Sequence, residues 1–192
     1  MNSPTRSEGP AVWDGRSYDA VARRARDILP FLAIGSALHD AGLPVPRIGS
    51  ADREHGLALM DDLGTETIAG EDGEFHADRY AIAIDLLATM HRHVWPASAA
   101  YGGEIYDLPR YDLDALLIEI SLYADWYLPG RSETAFSDAE RRAFLGAWSN
   151  VLSSLADFPD TWVMRDYHSP NSLWRTGPGV QAGPGIIDIQ DT

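Results

Sequence analysis

The spacing of apolar and polar positions predicts a chain that is helical for most of its length and turns to short strands near its end. Ser17 is a good N-cap for a helical region over about residues 17–41, and Gly42 stops it. Val21, Ile28, Phe31, Leu32, Ala33, Ile34 and Leu38 supply its apolar faces. Pro30 predicts two pieces, or a kink near residues 28–30. Residues 43–48 read as an extended lead into a strand, 52–56 as a turn and 57–60 as a second strand. A helix over about residues 75–94 places Tyr80, Ala83, Ile84, Leu87, Met90, His91 and Val94 on one stripe. A third helix covers about residues 113–127, ended by Pro129-Gly130. A fourth starts at Ser137, where Ser137-x-x-Glu140 forms a capping box. Its expected core stripe is Phe144, Trp148, Val151, Leu152 and Leu155, and Pro159 ends it.

The period then changes. Residues 161–164 read as a short strand, 165–171 as a loop and 172–175 as a strand. A Gly/Pro connection over 176–184 leads to a β-branched strand over 185–189. Residues 1–16 read as an extended or loosely ordered lead-in. No internal repeat appears.

Composition narrows the class. The hydrophobic fraction of 45%, with six Trp and eight Tyr, fits a folded protein of 192 residues. There is no Cys, so disulfides and thiolate metal sites are excluded, which fits a cytoplasmic protein. No apolar run has the length of a membrane span, so no membrane partner is expected. The net charge of −14 argues against nucleic acid as a partner. It suits a solvated surface and is compatible with a cationic small molecule. All fifteen basic residues are Arg, and the chain has no Lys.

Chemistry concentrates where the period changes. In Trp162-Val163-Met164-Arg165-Asp166-Tyr167-His168-Ser169-Pro170-Asn171, an acid is followed five positions later by an amide. After a hairpin comes Ile186-Ile187-Asp188. This order suits phosphoryl transfer. Asp166 can orient a substrate hydroxyl and accept its proton, while Asn171 and Asp188 can hold Mg²⁺ against nucleotide phosphates. Mg²⁺ takes hard oxygen ligands and keeps some waters, so one amide and one carboxylate suffice.

Asp166-x-His168-x-x-Asn171 resembles the D-x-H-x-x-N motif of aminoglycoside phosphotransferases and choline kinase-like relatives. Ile187-Asp188-Ile189-Gln190-Asp191 resembles their metal-binding strand. The wording is closest to a bacterial branch of cell-wall amino-sugar kinases and phosphotransferases linked to threonylcarbamoylation. The likeness spans about residues 17–192. It implies an α+β, protein-kinase-like fold. Residues 1–64 would be the remnant of an N-lobe, with one helix, one strand pair and the linker. Residues 65–192 would be an incomplete, mostly helical C-lobe. It further implies ATP and Mg²⁺ as cofactors and a sugar, amino sugar or aminoglycoside hydroxyl as acceptor. Asp166 would be the catalytic base, Asn171 and Asp188 the metal ligands, and Asp191 a weaker metal candidate. His168 would brace the loop, and Arg165 would pair a carboxylate or, as the alternative, stabilise phosphate charge. The linker Met60-Asp61-Asp62-Leu63 would hold the adenine through its backbone.

The chain departs from the pattern in places. No glycine-rich phosphate loop occurs, and the strand Lys of kinase folds is replaced by an Arg or its strand is absent. Met164 stands where many relatives have His. Phe31 stands where the helix Glu is usual, with Asp27 one turn earlier as the nearest acid. The resemblance leads to the expectation that both ends of the usual fold are missing. Activity of the chain alone would then be weak. Apolar faces around Leu87 and Trp148 would be uncovered and would favour self-association. The alternative is a non-catalytic, pseudokinase-like binding module.

Overall fold

Among the described residues, four antiparallel strand pairs, distributed among helices, carry the β structure. The computed structural model describes residues 9–70, 74–131, 135–155, 157, 160–177 and 182–190. The first elements are β1 (Ala11–Trp13), β2 (Arg16–Ser17), α1 (Tyr18–Val21), α2 (Leu29–Asp40), β3 (Ile48–Asp52) and β4 (Leu57–Met60). Next come α3 (Ala77–Arg92), β5 (Ser98–Tyr101), β6 (Glu104–Asp107) and α4 (Leu113–Leu122). A π-helical turn (Tyr123–Tyr127), α5 (Leu128–Arg131), α6 (Asp138–Ser153), a 3-10 turn (Ser169–Asn171), β7 (Ser172–Arg175) and β8 (Gly183–Ile186) follow. The mixed helix and strand-pair content agrees with the α+β expectation. The chain forms two units. One contains Ala25–Leu108 and Thr161–Thr192, and the other contains Ser7–Arg24 and Pro109–Asp160. Gly64, the expected lobe boundary, lies inside the first.

The first unit has a core of α2, α3 and the strands around them. Ile34, Leu38, Met90, Trp162, Ile186 and Ile189 are buried together there. Gly35 lets α2 approach closely, because a Cβ at that position would stand 3.1 Å from Ile189 Cδ1 and 3.2 Å from Ile48 Cδ1. Trp162 stacks on Trp95 at 4.3 Å and donates its indole N–H to the Pro96 carbonyl. The Ile186 amide donates to the Pro44 carbonyl, which ties β8 to the Pro-rich segment after α2.

In the second unit β1 and β2 form a hairpin, and α1 packs against α4 through Val21, Ala22 and Ile118. Arg23 pairs with Asp112 and Arg16 with Asp114. The capping box is present: Ser137 Oγ accepts from the Glu140 amide, and the Glu140 carboxylate accepts from the Ser137 amide. Arg141 of α6 makes a two-point bond to Asp125 of the π-helical turn, at 2.6 and 2.7 Å.

Several expectations from local pattern are corrected. Residues 9–16, expected as extended or loosely ordered, take the extended form but are paired, since Asp14 and Gly15 adopt positive φ and close the β1–β2 hairpin. The helical region over residues 17–41 is in two pieces, as Pro30 led one to expect, but the break is wider and starts earlier than residues 28–30. Ser17 caps only α1, and the chain leaves helical geometry at Arg23 (φ 57) before α2 restarts with Pro30 in its first turn. On α3, Ala83 and Met90 are buried and Leu87 is half-buried, but Ile84 and His91 are exposed, and Val94 is exposed beyond the helix end at Arg92. The buried face runs through Leu86 instead. Helical backbone continues from the π-helical turn through Pro129 into α5, so Pro129-Gly130 does not end it. The stripe of α6 is not core: Trp148, Val151 and Leu155 are exposed, and Phe144 and Leu152 are half-buried. Pro159 lies outside the described residues. Residues 161–164 are not a strand, and Trp162 within them is buried. β8 ends at Ile186, because Asp188 turns to φ 60. The β5–β6 hairpin was unforeseen. Its Gly102-Gly103 turn, with φ of 60 and 87, is the glycine pair that a two-residue hairpin requires.

Candidate active site

The loop over residues 165–171 is wound by its own backbone. The His168 amide donates to the Asp166 carbonyl at 2.9 Å, and the Asn171 amide donates to the His168 carbonyl at 3.0 Å. Pro170 opens the 3-10 turn with its φ already set. Two side chains anchor the loop from either side. The Tyr167 hydroxyl donates to the Ala83 carbonyl of α3 at 2.7 Å, and Ser169 Oγ accepts from the Ala69 amide at 3.1 Å. Burial pushes the Tyr167 phenol up to about 12, so it stays protonated as a donor. His168, expected to brace the loop, is exposed and contributes through its backbone. Arg165 is half-buried.

Asp166, Asn171 and Asp188 come together. Asn171 Nδ2 donates to the Asp166 main-chain carbonyl at 3.2 Å and to Asp188 Oδ2 at 3.0 Å. The Asn171 carbonyl in turn accepts from the Ile187 amide at 3.0 Å, which sets the β8 end beside the loop. Gln190 donates to the other oxygen of Asp188. Asp188 holds φ 60, a left-handed conformation that Asp tolerates better than most residues. It aims the carboxylate at Asn171 instead of continuing the strand. The Asp166 side chain is exposed. Asp191 lies outside the described residues.

This donor set fits a hard cation shared with phosphates. Both N–H groups of Asn171 are engaged, which leaves its Oδ1 as an uncommitted oxygen donor. Asp188 adds a carboxylate. Among the described residues no three His, Asp or Glu side chains gather as an all-protein metal cage would need. One amide and one carboxylate are the set by which Mg²⁺ is held jointly with a nucleotide.

Residues 60–63, expected as a linker, reach this hairpin through Leu63. The Asp61 amide donates to the Arg47 carbonyl, and Asp62 Oδ1 accepts from the Gly64 amide at 2.8 Å. Met60 closes β4 opposite Ile48 and is exposed. Leu63 sits on Gly185, where a Cβ would stand 2.8 Å from Leu63 Cδ1. Residues 66–68 then run antiparallel to β7. The Trp174 amide donates to the Glu66 carbonyl at 2.6 Å, and the Ile68 amide donates to the Ser172 carbonyl at 3.0 Å. Asp27 is committed elsewhere: it accepts from the Leu29 amide at 2.7 Å and lies 3.9 Å from Arg53. Arg53 also pairs with Glu104, which holds that carboxyl below its usual range. Sequence reasoning missed Tyr167, Ser169, Gln190 and Gly185 as supports of the site. Their only sequence signal is adjacency to the motif.

Comparison with known proteins agrees with the geometry. Residues 15–192 match the phosphotransferase enzyme family APH, and the chain belongs to that family. The chain is 32% identical over 184 residues to the N-acetylmuramate/N-acetylglucosamine kinase of Pseudomonas putida, covering 93% of this chain and 50% of that protein. It is 30% identical over 185 residues to the protein of the same name from Caulobacter vibrioides, covering 95% and 51%. The Pseudomonas aeruginosa protein of that name is 29% identical over 184 residues, covering 93% and 50%. The chain spans about half the length of the curated relatives it matches. The resemblance read from the two motifs is therefore shown, down to the amino-sugar kinase branch.

Proposed function

We propose that this chain carries the metal and base site of an ATP-dependent kinase that phosphorylates a hydroxyl of an amino sugar. N-acetylmuramate and N-acetylglucosamine are the first acceptors to test, since both stand in the names of its relatives. The observation that carries the reading is the pair of hydrogen bonds that the Asn171 amide donates, one to the Asp166 main-chain carbonyl and one to the Asp188 carboxylate. Such a bridge holds the backbone that carries the base beside the metal ligands, and phosphoryl transfer needs positioning more than it needs covalent chemistry.

Asp166 is the base that accepts the proton of the attacking hydroxyl. Asn171 Oδ1 and the Asp188 carboxylate hold Mg²⁺, and the bound ion supplies charge neutralisation on the phosphate oxygens. The backbone of Met60-Asp61-Asp62-Leu63 receives the adenine. Tyr167 and Ser169 keep the loop in place, with Arg165 and His168 as flanking supports. ATP availability makes the cytoplasm the working compartment. Among the described residues no helix is long and apolar enough to cross a membrane. The test is ADP release with ATP, Mg²⁺ and a panel of N-acetylmuramate, N-acetylglucosamine, aminoglycosides and small alcohols. Release that depends on Mg²⁺ and on an amino sugar supports the reading. Aminoglycoside-dependent release would reassign the acceptor. A chain that binds no Mg²⁺–ATP under any condition would end the kinase assignment.

A further inference from the structure

Residues 66–68 extend the β7–β8 pair on the side of β7 away from β8. This strand addition joins the linker to the hairpin whose ends are Asn171 and Asp188. One side chain clamps it. Arg79, in the first turn of α3, donates through Nη1 to the Thr67 carbonyl at 3.2 Å and pairs with Glu66 at 2.6 Å. Its guanidinium also lies over the ring of Trp174, 4.8 Å from the centroid. Trp174 stands three residues after Asn171 and is paired with Pro184 of β8. The Arg79 side chain is only 17% exposed. A well-shielded guanidinium that satisfies a carboxylate and a carbonyl while stacking on an aromatic ring is held by three elements at once.

We infer that Arg79 is a positioning residue for nucleotide binding, setting the register between the linker Met60-Asp61-Asp62-Leu63 and the Asn171–Asp188 pair. The inference rests on the kinase reading above. A slip of residues 66–68 along β7 would move Leu63 off its seat on Gly185. The adenine and the metal would then no longer be reachable by one nucleotide. Arg79 touches neither of the proposed ligand sites itself. Its effect is confined to ligands that span both.

That confinement gives the test. Adenosine engages the linker alone, whereas ATP with Mg²⁺ engages the linker and the metal pair. Binding of each is measured by titration calorimetry on the chain and on Arg79→Met and Arg79→Lys. In the parent, ATP with Mg²⁺ binds more tightly than adenosine. Arg79→Met is expected to weaken Mg²⁺–ATP about tenfold or more, as loss of an outer-shell support does, while adenosine affinity stays within about twofold. Arg79→Lys keeps the Glu66 pair but not the planar stack on Trp174, and falls between. A general loss of structure would lower both affinities together. If Arg79→Met does not fold, Trp174→Leu, which removes the platform and keeps both charges, decides by the same comparison. Retention of the parent's full preference for Mg²⁺–ATP in the folded variant overturns the inference. A parent that binds no Mg²⁺–ATP overturns the kinase reading and this inference with it.

Discussion

Asn171 and Asp188, seventeen residues apart in sequence, share a 3.0 Å hydrogen bond from amide to carboxylate. The second N–H of the same amide is given to the Asp166 carbonyl. The bridge works because Asp188 leaves the strand conformation at φ 60. Substitutions at Asp188 should therefore separate backbone from ligand effects. Asp188→Asn can keep the left-handed conformation and should stay within about 1 °C of the parent Tm. Asp188→Ala should lose about 1 kcal/mol, roughly 3 °C for a chain of this size. Both should lose Mg²⁺-dependent nucleotide binding. Thermal melts and Mg²⁺ titrations check this, and equal stability of the two variants would count against backbone strain at this position.

Tyr167 holds the loop to α3 by one partly buried hydrogen bond. Tyr167→Phe should destabilise by about 1 kcal/mol, the usual net worth of such a bond. The phenol is raised from 10.0 to about 12 in the fold, because burial disfavours the phenolate. A group whose folded value is raised gives its full stabilisation below its unfolded value. That contribution is lost as pH rises from about 10 through 12. The parent should therefore lose stability across that window more steeply than Tyr167→Phe. Denaturant midpoints at pH 8, 10 and 11.5 measure it, and parallel curves would remove the phenol as the cause.

How far the sequence foretold this structure differs between site and fold. The site was legible because its residues are few, polar and fixed in spacing by local turns: Asp166 to Asn171 is one wound loop, and Asp188 follows a short hairpin. Helix starts with a chemical signature were also legible, as at Ser17 and Ser137. Burial was not. Val94 is exposed because the helix ends before it. Ile84, expected on the stripe of Met90, faces outward, because which part of an amphipathic stripe is covered depends on neighbours distant in sequence. The same holds for Trp148 on α6. The joining of residues 66–68 to β7 has no local signal, since a three-residue strand is defined only by its partner. Gly102-Gly103, by contrast, was a readable hairpin turn that the helical pattern on either side obscured.

In the second unit, the two-point bond between Arg141 and Asp125 fastens α6 to the π-helical turn. The two side chains are about one-third exposed, at 35% and 32%. Arg141→Met should destabilise by about 1 kcal/mol, the upper range for a partly exposed pair of good geometry. The Arg141 guanidinium holds the Asp125 carboxyl below its ordinary value of 3.8. A depressed acid gives its stabilisation above its unfolded value and loses it as pH falls through the folded one. The parent should thus lose stability below about pH 4 more steeply than Arg141→Met. Acid titration followed by circular dichroism tests this, and an identical acid limb in both proteins would deny the pair any linkage to folding.

The most direct test of the phosphotransfer reading is the effect of Asp166→Asn on turnover compared with its effect on binding. Parent and variant are assayed with ATP, Mg²⁺ and N-acetylglucosamine or N-acetylmuramate, and Mg²⁺–ATP affinity is measured on the same preparations. If Asp166 is the base, the variant loses about a hundredfold or more in sugar-dependent turnover. Its affinity for Mg²⁺–ATP should stay within about twofold, because Asn171 is held by the Asp166 backbone carbonyl and not by its side chain. Turnover by Asp166→Asn equal to that of the parent would contradict the assignment.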